Sequence, residues 1–229
     1  MFFFDPFYLI LALPGLLLGI WAQARVKGTF NKFSKVRTSS NASGAEIARY
    51  LLDSQGLQDV QVEEVQGFLS DHYDPRTRIL RLSPDVYRTP SVAAAGVAAH
   101  EMGHALQHAV GYGPLQIRSA IVPAVQFGSS LAPILFIIGF LLNFTSLAWL
   151  GVILFGLAVL FSLITLPVEF NASKRAKALL ASSGILSPQE VQGVDKVLDA
   201  AALTYVAAAV AAIGQLLYYV LLLTGGRRD

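Results

Sequence analysis

Hydrophobic residues run almost unbroken through four stretches of the chain, at 6–24, 120–142, 147–167 and 200–223. Each holds about 20 residues, enough for one helical crossing of a bilayer at about 1.5 Å per residue. Pro123 and Pro133 predict kinks in the second stretch that neighbouring helices must accommodate. Residues 143–146 form a short polar turn before the third. The first stretch is read as a retained anchor and not as a signal peptide. Its start, Met1-Phe2-Phe3-Phe4-Asp5, has no basic residue, and no small-residue cleavage site follows it.

Between the apolar stretches the pattern changes. Residues 25–118 are the main polar segment. Ser43 and Glu46 form a capping box that opens an amphipathic helix through Leu52, ending near Gly56. Apolar and polar residues alternate over 60–65 and again over 78–82, predicting two strands, the second with arginines on its open face. Asp74-Pro75 marks a turn. An alanine-rich helix is predicted over 91–110, stopped by Gly111-Tyr112-Gly113-Pro114. A second polar segment, 168–199, contains one helix over 169–181. Another is opened by the capping box of Ser187 and Glu190 and runs on into the fourth apolar stretch.

Composition agrees with membrane residence. Of the 229 residues 14% are charged and 54% hydrophobic, and the mean hydropathy is +0.55. A freely soluble domain needs more charge than this to wet its surface. There is no cysteine, which removes disulfides, thiolate nucleophiles and cysteine metal sites. A net charge of +2 is too small and too scattered to point to nucleic acid. Basic residues cluster at Arg25, Lys27, Lys32, Lys35 and Arg37, and at Lys174, Arg175, Lys177 and Lys196. By the positive-inside rule both polar segments are cytoplasmic and both termini outside, with Arg227 and Arg228 on the side the rule disfavours.

The chemistry sits on the alanine-rich helix. His100-Glu101-Met102-Gly103-His104 puts two imidazoles one helical turn apart on one face. Two neutral histidines supply two of the three protein ligands of a catalytic zinc, the fourth position being left for water. Glu101, beside them, can take a proton from that water, whose pKa zinc brings to about 7. For the third ligand there are two candidates. His108 continues the face, but three ligands on a straight helix would spread over about 12 Å. Glu169 ends the third crossing, and the charge-derived topology puts it on the same side of the membrane as His104. It is the better candidate, which leaves His108 beside the ligands or near a substrate.

The chain resembles the YugP-like zinc-dependent membrane peptidases of bacteria over nearly its whole length. The likeness lies in the Phe-rich start, 69–75, Ser91-Val92-Ala93-Ala94, 100–107 and 167–173. More distantly it is similar to membrane gluzincins of the HtpX and CAAX-protease type, whose third ligand is the glutamate of a Glu-x-x-Ala-Asp pattern. Here that pattern reads Glu169-Phe170-Asn171-Ala172-Ser173, so the resemblance gives Glu169 the ligand role. It leaves Ser173, or Asn171, to orient a zinc-bound histidine. It also implies a zincin-like domain with a substrate-binding edge strand above the active-site helix, a place that 78–82 fits. His72, Tyr73 and Arg175 are polar groups that could reach a developing oxyanion, although turn hydrogen bonding for His72 and Tyr73 and snorkelling at the interface for Arg175 are the plainer readings.

The expectation is a mainly α membrane protein with four transmembrane helices and a small α+β zincin-like cytoplasmic domain. In it, a gluzincin would cut membrane-associated or unfolded polypeptides. Its partners would be the bilayer and a polypeptide, with no nucleic acid. The alternative from another class is a metal-binding membrane scaffold without hydrolytic activity. A zinc transporter using the histidine face is disfavoured, since that face lies outside every crossing.

Overall fold

The computed structural model describes residues 5–225, so the Phe-rich start and the C-terminal arginines lie outside the described residues. Seven helices and three strands follow in the order α1 (Pro6–Phe33), α2 (Gly44–Ser54), β1 (Gln61–Glu64), β2 (His72–Asp74), β3 (Ile79–Leu82), α3 (Pro84–Tyr87), α4 (Val92–Ala109), α5 (Gly113–Leu141), α6 (Thr145–Ser183) and α7 (Pro188–Gly225). The chain divides into two compact units. One takes the chain up to Gln23, Gln116–Pro167 and the chain from Leu203; the other takes Ala24–Leu115 and Val168–Ala202.

The first unit consists of the apolar parts of α1, α5, α6 and α7. All four helices are long and apolar enough to cross a membrane, and their most apolar windows are only 11–22% buried. Large side chains such as Ile10, Leu17, Phe127, Ile134 and Ile153 stand exposed. In water this surface would drive aggregation; in lipid it is the solvated face. Small residues bring the helices together. A Cβ on Gly151 would lie 2.6 Å from the Phe136 backbone nitrogen, and one on Gly15 2.5 Å from Ala211 Cα. Pro123 and Pro133 lie within α5, which runs as one helix through both.

The second unit is an α+β layer structure. Ser43 caps α2 as predicted: its hydroxyl accepts from the Glu46 amide, and Glu46 Oε2 accepts from the Ser43 amide. Ile47, Leu51 and Leu52 of α2 are buried with Leu80 and Leu82 of β3 and the alanine face of α4. The Ser187–Glu190 box also forms, and Glu190 additionally accepts from the amide and hydroxyl of Ser39.

The sheet corrects one expectation. The segment 78–82 forms the central strand β3, with β1 parallel on one side and β2 antiparallel on the other. It therefore offers no free edge. The strand missed by reading the sequence, His72–Asp74, is three residues long, too short for an alternation signal. The arginine expectation holds for Arg81, which pairs with Glu63 at 3.4 Å and Asp74 at 3.8 Å while Leu80 and Leu82 turn inward. A second difference concerns helix boundaries. The apolar stretch at 147–167 and the polar helix after it are one helix, α6, because Pro167 sits inside it without ending it. In the same way α1 continues to Phe33, past its apolar run.

α4 is buried along most of its length, and its small residues make room for neighbours. Gly96 meets Val194, and a Cβ on Gly103 would fall 2.6 Å from the carbonyl oxygen of Ala172 on α6. The obstacle is backbone and cannot rotate away. Gly103→Ala is expected to destabilise the protein by about 1–3 kcal/mol and lower its melting temperature, as read by thermal unfolding in detergent.

Candidate metal centre

α4 and α6 bring the charged chemistry together. His100 and His104 project from α4, and Glu169 faces them from the polar part of α6. All three are almost wholly buried, with exposures of 9%, 8% and 2%. Their ligand atoms lie within 4.8 Å of one another. Glu169 Oε2 stands 3.1 Å from His100 Nε2 and 3.5 Å from His104 Nε2. Donors bound at about 2.1 Å around a tetrahedral zinc sit about 3.4 Å apart. The two carboxylate–imidazole separations match that spacing, and two imidazoles with a carboxylate are a donor set zinc uses in catalysis.

The other ring nitrogens are held too. His100 Nδ1 lies 3.1 Å from Ser173 Oγ, one helical turn beyond Glu169. His104 Nδ1 lies 3.0 Å from Gln107 Oε1. The orientation of that amide is fixed by its other end. Gln107 Nε2 donates to the Val168 carbonyl at 2.8 Å and to Asn171 Oδ1 at 3.0 Å. Gln107 Oε1 must then accept from His104 Nδ1–H, which leaves Nε2, the nitrogen facing Glu169, as the one that can bind a metal. The Asn171 side chain hydrogen-bonds not to a histidine but to Gln107, and its Oδ1 also accepts from Arg175 Nε at 2.8 Å. Arg175 is thus a support of this chain of hydrogen bonds.

Gln107, fully buried, was missed as a site residue. Its spacing three residues after His104 on the same helix was the available signal. Truncating it leaves the His104 N–H unpaired in a buried place. Gln107→Ala is expected to weaken zinc binding by about 10–100-fold, measured by competition with a chromophoric chelator.

Electrostatics favour a cation here. Burial works to raise the Glu169 pKa, but hydrogen bonds and charge from His100 and His104 outweigh it and hold the carboxyl well below its usual range. Burial likewise opposes a charged His104. The Glu169 hydrogen bond, the Glu101 and Glu169 charges and the Gln107 bond overcome it, raising His104 above the usual histidine value. Without metal, His104 therefore holds a proton more readily than an ordinary imidazole does. Zinc binding should release that proton, and affinity should climb as pH rises through the raised His104 pKa. Calorimetry in two buffers of different ionisation enthalpy measures the release.

Glu101 is 8% exposed. Among the described residues its carboxylate has no hydrogen-bond or ion-pair partner on the protein, which leaves it available for chemistry. It is also close enough to Asp71 for its charge to matter. Asp71 is raised by burial, lowered by its bonds from Ser83 and raised again by Glu101, with a net upward shift. The amide and hydroxyl of Ser83 bind Asp71 at 2.7 and 3.0 Å, tying the start of β2 to the end of β3.

The remaining candidates separate. The Tyr73 hydroxyl lies 2.9 Å from His108 Nδ1, and burial pushes its pKa up to about 12. His108 thus pairs with β2 and stands outside the His100–His104–Glu169 cluster. His72 is exposed, with Nδ1 2.8 Å from the Ser70 carbonyl, a turn contact.

Comparison with known proteins agrees with this site. The family described as "Putative neutral zinc metallopeptidase" matches residues 8–224. The chain belongs to that family, zinc is its metal, and the four apolar helices make it a membrane protein. It is 53% identical over 222 residues to the "Putative membrane protease YugP" of Bacillus subtilis (strain 168), covering 97% of this chain and 99% of that protein. No solved structure matches it.

Proposed function

We propose that the protein is a membrane-embedded gluzincin that hydrolyses peptide bonds of membrane-associated or unfolded polypeptides at the cytoplasmic face. One observation carries the reading: three ligand atoms from His100, His104 and Glu169 converge within 4.8 Å, beside an unpartnered, nearly buried Glu101. In this reading the three residues hold zinc, which when bound polarises the scissile carbonyl and acidifies water. Glu101 accepts the proton from the attacking water and returns it to the leaving nitrogen. Ser173 and Gln107 keep both imidazoles in the tautomer that faces the metal.

The substrate is proposed to lie along β2. Its far edge carries no strand among the described residues, and β-addition supplies affinity from backbone hydrogen bonds with little side-chain selection. Tyr73, anchored by His108 one turn beyond His104, is the oxyanion donor this arrangement favours over His72 and Arg175. The basic residues at 25–37 and 174–196 support the cytoplasmic orientation, with crossings at 6–24, 120–142, 147–167 and 200–223.

Purified protein in nanodiscs, loaded with zinc and incubated with casein, tests the reading. Cleavage that chelation stops and zinc restores supports it. Intact casein, and no self-cleavage by protein carrying one zinc, would instead support a non-hydrolytic scaffold.

A further inference from the structure

A second surface faces outward from the unit that carries the metal site, and its chemistry is apolar. In the loop before β2, Phe68 is 57% exposed and Leu69 38% exposed. Leu69 holds a left-handed backbone (φ +53°), as does Gly67 (φ +120°), a conformation that a leucine adopts only when the surrounding loop imposes it. The Ser70 hydroxyl closes the loop on the Gly67 carbonyl at 3.1 Å. Two neighbouring apolar side chains thus stand largely in the open on a closed loop.

What lies beside them indicates their partner. The Phe68 ring packs edge-on against Phe30, with centroids 5.8 Å apart and planes at 88°. Phe30 is on α1, which continues unbroken from its apolar run to Phe33. At about 1.5 Å per residue, Phe30 lies about 9 Å beyond Ala24, where that run ends. The headgroup layer of a bilayer is about 5–8 Å deep on each side, so Phe30 stands at its outer margin. The same segment carries Arg25, Lys27, Lys32, Lys35 and Arg37, all exposed, and no acidic residue between them. A basic, acid-free stretch at the end of a crossing is complementary to anionic lipid, and an adjacent Phe-Leu pair is suited to the boundary between headgroups and acyl chains.

We propose that Phe68 and Leu69 insert into the headgroup region of an anionic bilayer beside the basic end of α1. The loop is a lateral lipid anchor for the unit bearing the metal site. It sits immediately before Asp71 and β2, so lipid contact and the strand proposed to hold substrate share one short stretch of chain. The anchor goes beyond the peptidase reading and needs only that α1 cross the membrane.

The absence of cysteine makes the test direct. Leu69→Cys gives a single thiol for a nitroxide label in protein reconstituted into nanodiscs of phosphatidylcholine, with or without phosphatidylglycerol. Power-saturation EPR compares accessibility to oxygen, which enriches in lipid, with accessibility to a water-soluble nickel chelate. Labels at Leu17→Cys, in the apolar run, and Gln55→Cys, exposed after α2, set the lipid and water limits. The Leu69 label is expected to show an oxygen-to-nickel ratio several-fold above that at Gln55, higher still with phosphatidylglycerol, and reduced by Phe68→Ser. A ratio equal to that at Gln55 in both lipids overturns the proposal. So does a water-like ratio whose nickel accessibility drops only when unfolded casein is added, which would make the patch a polypeptide-docking surface. Ser70→Cys provides a second label site if Leu69→Cys does not retain bound zinc. No readout depends on hydrolysis, so failure of the anchor and failure of the peptidase reading are told apart.

Discussion

Glu101→Gln is expected to bind one zinc like the parent protein and to cleave casein or a quenched fluorescent peptide about 10²–10⁴-fold more slowly, the usual worth of a positioned general base. The substitution is nearly isosteric, and Glu101 has no protein partner among the described residues that its loss would strand. The metal ligands, their orienting bonds and the fold therefore stay as they are. The loss should fall on kcat, with KM little changed, because Glu101 acts on the attacking water and not on substrate binding. Steady-state kinetics alongside elemental analysis for zinc checks both halves. A variant that keeps the full rate would remove Glu101 from the mechanism and the gluzincin reading with it.

Glu169→Ala should show the opposite dissociation: zinc goes first and activity follows. Orienting residues such as Gln107 are worth about 10–100-fold in metal affinity, and a ligand itself is expected to exceed that range. Two histidines without the carboxylate also lose the Glu169 hydrogen bond and charge that help to raise His104 against its burial. The variant should lose the stabilisation zinc gives a native state, which grows with the logarithm of metal concentration over Kd. Competition with a chelator and melting curves at graded zinc measure it. Retention of parental zinc affinity would show that another group, not Glu169, completes the site.

These two residues were legible to different degrees. Glu101 is named by local spacing, because His-Glu-x-x-His on a helix fixes its geometry within one turn. Glu169 is 65 residues beyond His104 and follows from topology and resemblance. Reading Ser173 as an orienting residue likewise rested on resemblance, and the structure puts its hydroxyl on His100 Nδ1. Gln107 was not read, although its spacing was available. What makes it an orienting residue is the Val168 carbonyl and Asn171, which force its amide to face one way. The sheet was the least legible part. Alternation over 78–82 showed a strand with Leu80 and Leu82 inward, but alternation says nothing of a strand's rank in a sheet. Only the pairing with β1 and with three-residue β2 made it central.

By itself the sequence determined the four apolar helices, both capping boxes and the two imidazoles on one helical face. All of these depend on residues within a turn or on one continuous run, where backbone geometry leaves little choice. The tertiary structure alone decided that the Val168 carbonyl and Asn171 turn the Gln107 amide toward His104, and that 72–74 and not 78–82 lies at an edge of the sheet. Those depend on residues far apart in the chain, brought close because Gly103 has no side chain to hold the Ala172 backbone away.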